Sequence, residues 1–300
     1  MSSIEIIPEK YIVSGGSTFG EHCFISGNTV PVFNIETFHA LNQAIGYVKY
    51  KNRNNGDVFY RGQCKLYNSM LPSIFHKRKT LGSRHKAQES LNKVMSNIST
   101  DVSLSKSMGF KAGDDFTIIE GMLQHYGYPT RCIDVVDNHW VALWFGLFEH
   151  ICLSECDQYF TFKRRDFIPK WSLNTTDERG YQYLIMLCAN KSVDSRSGVI
   201  RGEDVITVDL RVALPSTFIR PHAQHGVVLK KVGQCGDEDF DLSSRVVAIF
   251  RLRIEDVSQW LGNGQLLTQE SLFPAKACDF GYNRLLKREK DLNIQLIQYM

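Results

Sequence analysis

Helical and β-type patterns occupy different parts of this chain, and their order limits the folds that it can adopt. Apolar residues at helical spacing predict helices over residues 38–48, 84–108, 114–126, 138–149, 255–261 and 282–292. Runs rich in β-branched and aromatic residues predict strands at 58–62, 159–162, 183–187, 205–210, 226–232 and 246–252. Because most helices come first and most strands later, the order predicts an α+β fold and not a regular βαβ wheel.

The first 35 residues are rich in Gly, Ser and Thr and contain short β-type runs. This composition predicts a hairpin-like N-terminal extension over residues 1–35, followed by one compact domain over residues 36–300. A chain of 300 residues buries about three quarters of its unfolded surface, so it needs no disulfides for stability. Within the domain, acids and glycines at residues 233–239 indicate a solvent-exposed loop.

Charge, apolar runs and cysteines exclude several classes of protein. The net charge is 35 − 32 = +3, which is too small for a dedicated nucleic-acid coat. The longest apolar stretch, around residues 140–148, has about a dozen residues, whereas a membrane span needs ~20, so no membrane partner is expected. The eight cysteines include no CxxC pair, which favours reduced thiols in a cytoplasmic protein and no metal site.

The sequence also lacks the motifs of several common nucleotide and hydrolase sites. It has no GxGxxG after a predicted strand and no GxxxxGK[ST], which excludes Rossmann and P-loop sites. It has no HExxH and no GxSxG, which excludes zinc and serine hydrolases of those types.

The densest group of polar residues is the segment Gln124–Asp134, which follows a predicted helix that a Gly and a Pro terminate. We expect His125 and Tyr126 in this segment to contact a ligand. Arg131 and Asp134 are three residues apart and are able to satisfy each other as a buried pair that holds the loop. For these two residues the structural interpretation is favoured over ligand binding.

Two further polar segments adjoin predicted strands. Tyr60–Gln63 places Arg61 at the end of a strand and before a glycine, where a guanidinium is able to hold a phosphate. A solvated or paired charge is the alternative role of such an arginine. The segment Ile219–Val227 brings Arg, His and Gln side chains to the start of a strand, and a plain turn is the alternative there.

Taken together, these segments resemble the FRG domain family, which is named for an (F/Y)RG motif. Tyr60–Gly62 is similar to that motif, and Gln124–Asp134 is similar to the family's central QHYG-x-PTR-x-x-D signature. Ala223–Val227 and Ser271–Pro274 are similar to its A-Q-x-G and SLFP elements. The resemblance covers about residues 36–290, and the central signature is its most specific part.

The sequence departs from the family pattern at three places. Val135 stands where members commonly have Trp, His139 stands where they have Pro, and residues 275–277 replace an acidic run. The resemblance implies a fold similar to ADP-ribosyltransferases, with a mixed β core and helices packed around it. It also implies their activity, in which the nicotinamide–ribose bond of NAD breaks and ADP-ribose passes to a nucleophile. NAD is then a substrate, and no metal is implied.

The resemblance further implies which residues bind NAD. Arg61, with Gly62 allowing close approach, would hold the diphosphate, and Tyr126 or Tyr128 would stack on the nicotinamide. The remaining polar residues of the matched motifs that are expected to contact NAD are Gln124, Thr130, Arg131 and Gln224.

An ADP-ribosyltransferase also needs a carboxylate beside the oxocarbenium-like transition state. Asp134 lies inside the central signature, and Glu120 lies one helical turn before Gln124. Both rank above Glu270, which has a late chain position but lies next to the SLFP turn. His125 is the further catalytic candidate.

FRG proteins are often associated with bacterial toxin–antitoxin and phage-defence systems. The resemblance therefore implies a toxin, with an antitoxin protein as a partner in such a system. Protein, DNA, RNA and water are all open as acceptors, and water would make the protein an NAD glycohydrolase. The basic run Lys163–Arg165 slightly favours a nucleic acid, RNA or DNA.

A non-catalytic module that recognises a nucleotide or a nucleic acid is the alternative function. Aromatic and basic residues are interleaved in the segment Tyr159–Lys170, a composition that suits single-stranded nucleic acid. An exposed strand edge protected by basic residues is the favoured interpretation of this segment.

Overall fold

The computed structural model describes residues 4–8, 14–76, 80–108, 116–155, 158–168, 178–192, 194–196, 198–232 and 240–299. Its strands are β1 (Gly16–Cys23), β2 (Thr29–Ile35), β3 (Val58–Gln63), β4 (Cys132–Val136), β5 (Phe148–Cys152), β6 (Tyr159–Arg164), β7 (Tyr181–Cys188), β8 (Asp194–Arg196), β9 (Val199–Arg201), β10 (Val205–Asp209), β11 (Gly226–Lys231), β12 (Val246–Arg253) and β13 (Gln298–Tyr299).

Its helices are α1 (Phe38–Asn52), α2 (Leu81–Thr100), α3 (Val102–Met108), α4 (Phe116–His125), α5 (His139–Leu147), α6 (Leu210–Ala213), α7 (Ile219–Ala223), α8 (Ile254–Trp260), α9 (Gln269–Leu272), α10 (Phe280–Lys287) and α11 (Glu289–Leu292). This combination of helices with a large mixed sheet confirms the predicted α+β class.

Ten strands form one sheet in the order β1-β2-β12-β7-β3-β4-β11-β10-β9-β8. β2 and β12 run parallel to each other, and the other neighbours are antiparallel. The N-terminal residues form a β1–β2 hairpin, as their composition predicts. This hairpin belongs to the sheet, because β2 pairs with β12 over residues 32–35.

The sheet opens between β3 and β4. Tyr60 and Val136 are the pair of residues in register between these two strands, whereas β3 pairs with β7 along its whole length from Val58 to Gln63. Beyond Tyr60 the two strands diverge. A gap in the hydrogen-bond ladder therefore lies between Arg61 and the first half of β4.

Helices cover one face of the sheet in two groups. α1, α5 and α8 pack with Tyr60 and Val136 into one apolar cluster. α2, α4 and α10 pack with Cys132 and Val228 into a second. Cys132 and Val136 lie on the same face of β4, because side chains alternate along a strand. Between them on that face is Asp134, which therefore lies at the boundary between the two groups of helices.

A second, three-stranded sheet has the order β13-β6-β5. β6 is its central strand, so the interpretation of residues 159–164 as an exposed edge is wrong. Lys163 of the basic run lies opposite Glu149 of β5. Arg165 donates from Nη1 to the carbonyl of Tyr181 at 2.7 Å. Part of the basic run is therefore engaged within the fold.

Two helices end earlier than their sequence patterns predict. The helix predicted over residues 84–108 is divided into α2 and α3 at Asp101, which has a ψ of 106° and accepts from the Leu104 amide at 3.0 Å as the cap of α3. The helix predicted over residues 138–149 ends at Leu147, because Phe148 begins β5 and pairs with β6.

β4 is a strand that the sequence analysis did not predict. Residues 132–136 lie at the end of the polar segment that is interpreted above as a loop. The run contains the β-branched residues Ile133, Val135 and Val136, which favour a strand. The composition of this run could have predicted the strand, but the polar residues around it favoured the interpretation as a loop.

Several expectations about the whole chain can be compared with the described residues. Their cysteines are free thiols, of which Cys132 and Cys188 are buried, Cys64 is half-buried, and Cys23, Cys152 and Cys278 are exposed, so the thiols are not all core residues. No helix among these residues is long and apolar enough to cross a membrane. The predicted loop at residues 233–239 lies outside the described residues.

Candidate functional site

Asp134 occupies an unusual position for an acid. It is the central residue of β4, and its neighbours in the strand are buried apolar side chains. Its own side chain remains 43% exposed, because the two groups of helices leave this part of the sheet uncovered. A carboxylate in the middle of a core strand costs stability unless it is solvated or paired. Its position therefore calls for a functional explanation.

A chain of hydrogen bonds fixes the orientation of this carboxylate. Gln124 at the end of α4 donates from Nε2 to Asp134 Oδ2 at 2.6 Å. The amide oxygen of Gln124 accepts from Thr130 Oγ1 at 2.7 Å and from Ser73 Oγ at 3.4 Å. Because two hydroxyls donate to Oε1 of Gln124, the amide nitrogen of Gln124 must face Asp134. Gln124 and its supports thus position the carboxylate.

Arg61 fills the opening between β3 and β4. Its Nη1 donates to the backbone carbonyl of Asp134 at 2.5 Å, which replaces a ladder bond that the diverging strands do not make. Its Nε is buried and has no hydrogen-bond partner among the described residues. Burial lowers the pKa of Arg61, and the negative charge of Asp134 opposes this shift. The guanidinium remains a cation with donors to spare.

His125 completes the surroundings of Asp134. The imidazole is 4% exposed, and its Nδ1 lies 3.7 Å from Asp134 Oδ1, beyond hydrogen-bond distance. Gly226 of β11 makes room for the ring, because a Cβ at that position would lie 2.7 Å from His125 Cε1. Nε2 of His125 has no partner within the part of the chain that is described.

Three buried polar atoms without hydrogen-bond partners thus belong to this part of the sheet. Within the described ranges they are Arg61 Nε, His125 Nε2 and Asp134 Oδ1. Native structures leave few such atoms, and a group of them marks a place where a ligand or water supplies the missing partners. We call Arg61, Gln124, His125 and Asp134 the Asp134 site.

Tyr299 of β13 adds an aromatic ring that the sequence analysis did not consider. Burial raises the pKa of Tyr299 above its usual value, and the nearby Asp134 carboxylate adds to this shift against the opposing charge of Arg220. The ring stacks on Phe162 at 5.3 Å between centroids. Arg220 connects this ring to the site, because its guanidinium lies 5.1 Å from the Tyr299 ring centroid and donates to the carbonyl of His125 at 3.3 Å.

Glu120 is not part of this site, which contradicts its predicted catalytic role. Its fully buried carboxylate accepts from Arg131 Nε and Nη2, both at 2.8 Å, and from Lys230 Nζ at 2.7 Å. Burial acts to raise the pKa of Glu120, but Lys230 and Arg131 outweigh it and hold the pKa below its usual range. A carboxylate enclosed with two cations does not face a substrate.

Arg131 is therefore structural, but the predicted pair with Asp134 is wrong. Arg131 precedes β4, and α4 binds the two side chains at different turns: Glu120 accepts from Arg131, whereas Gln124, one turn later, donates to Asp134. Arg131 turns to Glu120, which also accepts from its backbone amide at 3.0 Å. The predicted contact of Arg131 with NAD is contradicted by the same geometry.

Tyr126 is also not available to a ligand, contrary to the prediction that it stacks on nicotinamide. Its ring is fully buried and stacks on Tyr282 at 5.0 Å, and its hydroxyl donates to Asp279 at 2.7 Å. Arg220 lies over the same ring at 4.6 Å. Tyr128 is half-buried against the helices of the second cluster.

The other predicted contacts divide between support and packing. Thr130 is buried and orients Gln124, as described above. Gly62 lets α5 approach β3, because a Cβ there would lie 1.7 Å from the carbonyl oxygen of Ala142. Gln224 is buried and donates to the carbonyl of Leu272 at 2.8 Å. None of these three presents a side chain to the Asp134 site for ligand binding.

Glu270 is exposed in the first turn of α9. Hydrogen bonds join this helix to two other parts of the fold. The Phe162 amide of β6 donates to Gln269 Oε1 at 3.0 Å, and the Gln224 side chain donates to the carbonyl of Leu272. Asp134 is thus the one predicted carboxylate that the described structure brings together with Arg61, Gln124 and His125.

A second polar group lies at the C-terminal end of β4. It includes His225 from the polar segment Ile219–Val227, but its Asp and Arg members had no signal in the sequence. Asp137 binds His225 Nδ1 through Oδ1 at 2.9 Å and Arg211 Nη1 through Oδ2 at 2.6 Å. Asp209 binds Arg211 Nη2 at 2.7 Å. Burial and the Asp137 charge raise the pKa of Tyr60 to about 12. We call Asp137, His225 and Arg211 the His225 group.

The fold and the site together define an α+β protein with a polar site where a mixed sheet opens between two groups of helices. Residues 56–151 match the family model of the FRG domain. The match includes β3, α4 and β4, and therefore the residues of the Asp134 site. The resemblance to the FRG domain family is confirmed for these residues. No curated protein and no solved structure matches the chain significantly.

Proposed function

We propose that this protein is an NAD-dependent ADP-ribosyltransferase and that the Asp134 site binds NAD. The observation that carries the proposal is the meeting of a half-exposed carboxylate with buried, unpaired polar atoms where the sheet opens. A polar ligand that pairs with these atoms is the simplest reason for them. NAD has the required groups, because its diphosphate suits a guanidinium and its ribose hydroxyls suit an amide and a carboxylate.

In this reaction the protein mainly positions NAD and the acceptor and supplies a negative charge beside the ribose. The bond between the ribose C1 and the nicotinamide nitrogen breaks, and its electron pair stays on the nitrogen of neutral nicotinamide. The acceptor atom forms a bond to C1 and loses a proton. The fixed negative charge of Asp134 stabilises the positive charge that develops on the ribose. Gln124 keeps that carboxylate in position through its 2.6 Å hydrogen bond.

We further propose a macromolecular acceptor and a role as a toxin, in the setting that the FRG resemblance implies. Lys163 is exposed and supports a nucleic-acid acceptor, although Arg165 of the same basic run is engaged with backbone carbonyls. Expression of the active protein would then arrest growth, and an antitoxin would relieve the arrest.

The test is release of nicotinamide from labelled NAD in the presence of a cell extract, for the wild type, Asp134→Asn and Glu270→Gln. Loss of one preorganised electrostatic group lowers a rate by ~10²–10³ with little change in ground-state binding. We therefore expect Asp134→Asn to bind NAD but to lose release and toxicity. Glu270→Gln serves as the matched control, with wild-type activity, because it lies on exposed α9.

Separate nuclease and protease digestion of the labelled product identifies the acceptor. Label that only nuclease releases supports a nucleic-acid acceptor, and label that only protease releases contradicts it. Nicotinamide release without any labelled macromolecule would show an NAD glycohydrolase. No release with any extract, RNA or DNA would contradict the enzyme and favour the non-catalytic recognition module.

A further inference from the structure

The His225 group has the internal arrangement of a base held by a carboxylate. Nδ1 of His225 lies 2.9 Å from Asp137 Oδ1 and 3.3 Å from Arg211 Nη1. The shorter contact is to an anion, so Nδ1 carries the hydrogen and donates it to Asp137. That tautomer leaves a lone pair on Nε2. Arg211 does not compete for this role, since Asp137 and Asp209 both bind it.

Nε2 of His225 is open to a further partner. Its nearest polar neighbour among the described residues is Asn138 Nδ2 at 3.5 Å, the limit of a hydrogen bond. The side chain is 41% exposed. His225 also has a φ of +53°, a left-handed conformation that is uncommon for a residue with a Cβ. A half-exposed imidazole held in this conformation points to a use for the side chain.

The His225 group lies at the end of the same strand as Asp134. Asp137 is the residue after β4 and lies three positions beyond Asp134, roughly 10 Å along the chain at the rise of a strand. The ring of His125 joins the two places, because it contacts Asp134 at 3.7 Å and packs on Gly226, the neighbour of His225.

We propose that His225, oriented by Asp137, is the general base that deprotonates the acceptor, and that the acceptor group is a hydroxyl. This inference rests on the proposed transferase function. The hydroxyl oxygen forms the bond to C1 of the ribose, its proton moves to His225 Nε2, and nicotinamide leaves with the electrons of the broken bond. A guanidinium acceptor fits less well, because Asp137 and Asp209, the carboxylates that could hold it beside His225, already bind Arg211.

The test uses methanol as the probe hydroxyl and azide as a nucleophile that has no proton to lose. With water or methanol as the acceptor, His225→Ala should release nicotinamide ~10²–10⁴-fold more slowly than the wild type, the usual loss for a general base. Added azide should restore the rate and give an azido product, whereas it should not accelerate the wild type to the same degree. NAD affinity by calorimetry should change less than about threefold, since a base acts mainly in the transition state.

His225→Gly separates the chemical role from folding. Glycine adopts a φ of +53° without strain, so this variant should unfold at a denaturant concentration no lower than the wild type. It should nevertheless show the slow, azide-rescued reaction of His225→Ala. His85→Ala is the matched control with full activity, because that histidine is 74% exposed on α2.

The outcomes distinguish this inference from the function on which it rests. If the wild type releases no nicotinamide, the proposed function fails, and the base fails with it. If the wild type is active and His225→Gly keeps its rate, only the inference is overturned. A His225 variant that binds NAD and reacts slowly, but whose rate azide does not restore, also overturns the inference. Its slower reaction would then not result from loss of proton removal.

Discussion

The substitution Glu120→Gln tests whether the second predicted carboxylate supports the fold or the chemistry. The wild-type carboxylate accepts two hydrogen bonds from the Arg131 guanidinium at 2.8 Å and one from Lys230 at 2.7 Å. A glutamine keeps one oxygen, but its NH₂ group must face one of the two cations. Removal of one partner from a buried ion pair typically costs about 3–5 kcal/mol, because the other charge stays buried.

Urea unfolding measures this cost. For an m-value of ~3 kcal/mol per M, a loss of about 3–5 kcal/mol lowers the midpoint by about 1–1.7 M. The pKa of Glu120 is depressed in the folded state, so its stabilisation is present above the unfolded value near 4.5 and is lost as the pH falls through the folded pKa. The unfolding curves of wild type and Glu120→Gln should therefore converge in acid.

The same two variants, Glu120→Gln and Asp134→Asn, should behave in opposite ways. Glu120→Gln should lower the free energy of unfolding, and the protein that remains folded should still release nicotinamide. Asp134→Asn should leave the unfolding midpoint nearly unchanged, because its side chain is half-exposed. A Glu120→Gln protein with a wild-type midpoint and no nicotinamide release would refute the structural assignment of Glu120.

Three further substitutions follow from the site. Arg61→Ala should bind NAD roughly ten- to a hundredfold more weakly, from loss of a charge-assisted contact of ~1.5–3 kcal/mol; equal affinity by calorimetry would return Arg61 to a purely structural role. Tyr126→Phe should cost about 1–3 kcal/mol of stability, because the buried Asp279 loses its 2.7 Å partner; a changed NAD affinity with unchanged stability would restore the ligand contact. Gly62→Ala should destabilise by more than the ~1–3 kcal/mol of ordinary overpacking, since its Cβ would lie 1.7 Å from a backbone oxygen; thermal unfolding at the wild-type temperature would contradict the packing of α5 on β3.

The sequence by itself determined the α+β class, most element positions and the family. Periodicity marks α1, because its buried side chains recur at helical spacing, and β-branched and aromatic composition marks β3. The polar segment Gln124–Asp134 also stood out, and it supplies most of the Asp134 site. Local composition carries such information because amphipathic spacing and helix termination depend on neighbours in the chain.

The tertiary structure alone decided which polar residues meet. Glu120 and Asp134 look equally suitable in sequence, but one is enclosed with Lys230, which is far away in the chain, and the other lies where the sheet opens. His225 and Tyr299 come near β4 only through the order of the strands and the course of the C-terminal residues. Partners distant in the chain set burial and charge, and no local pattern encodes them.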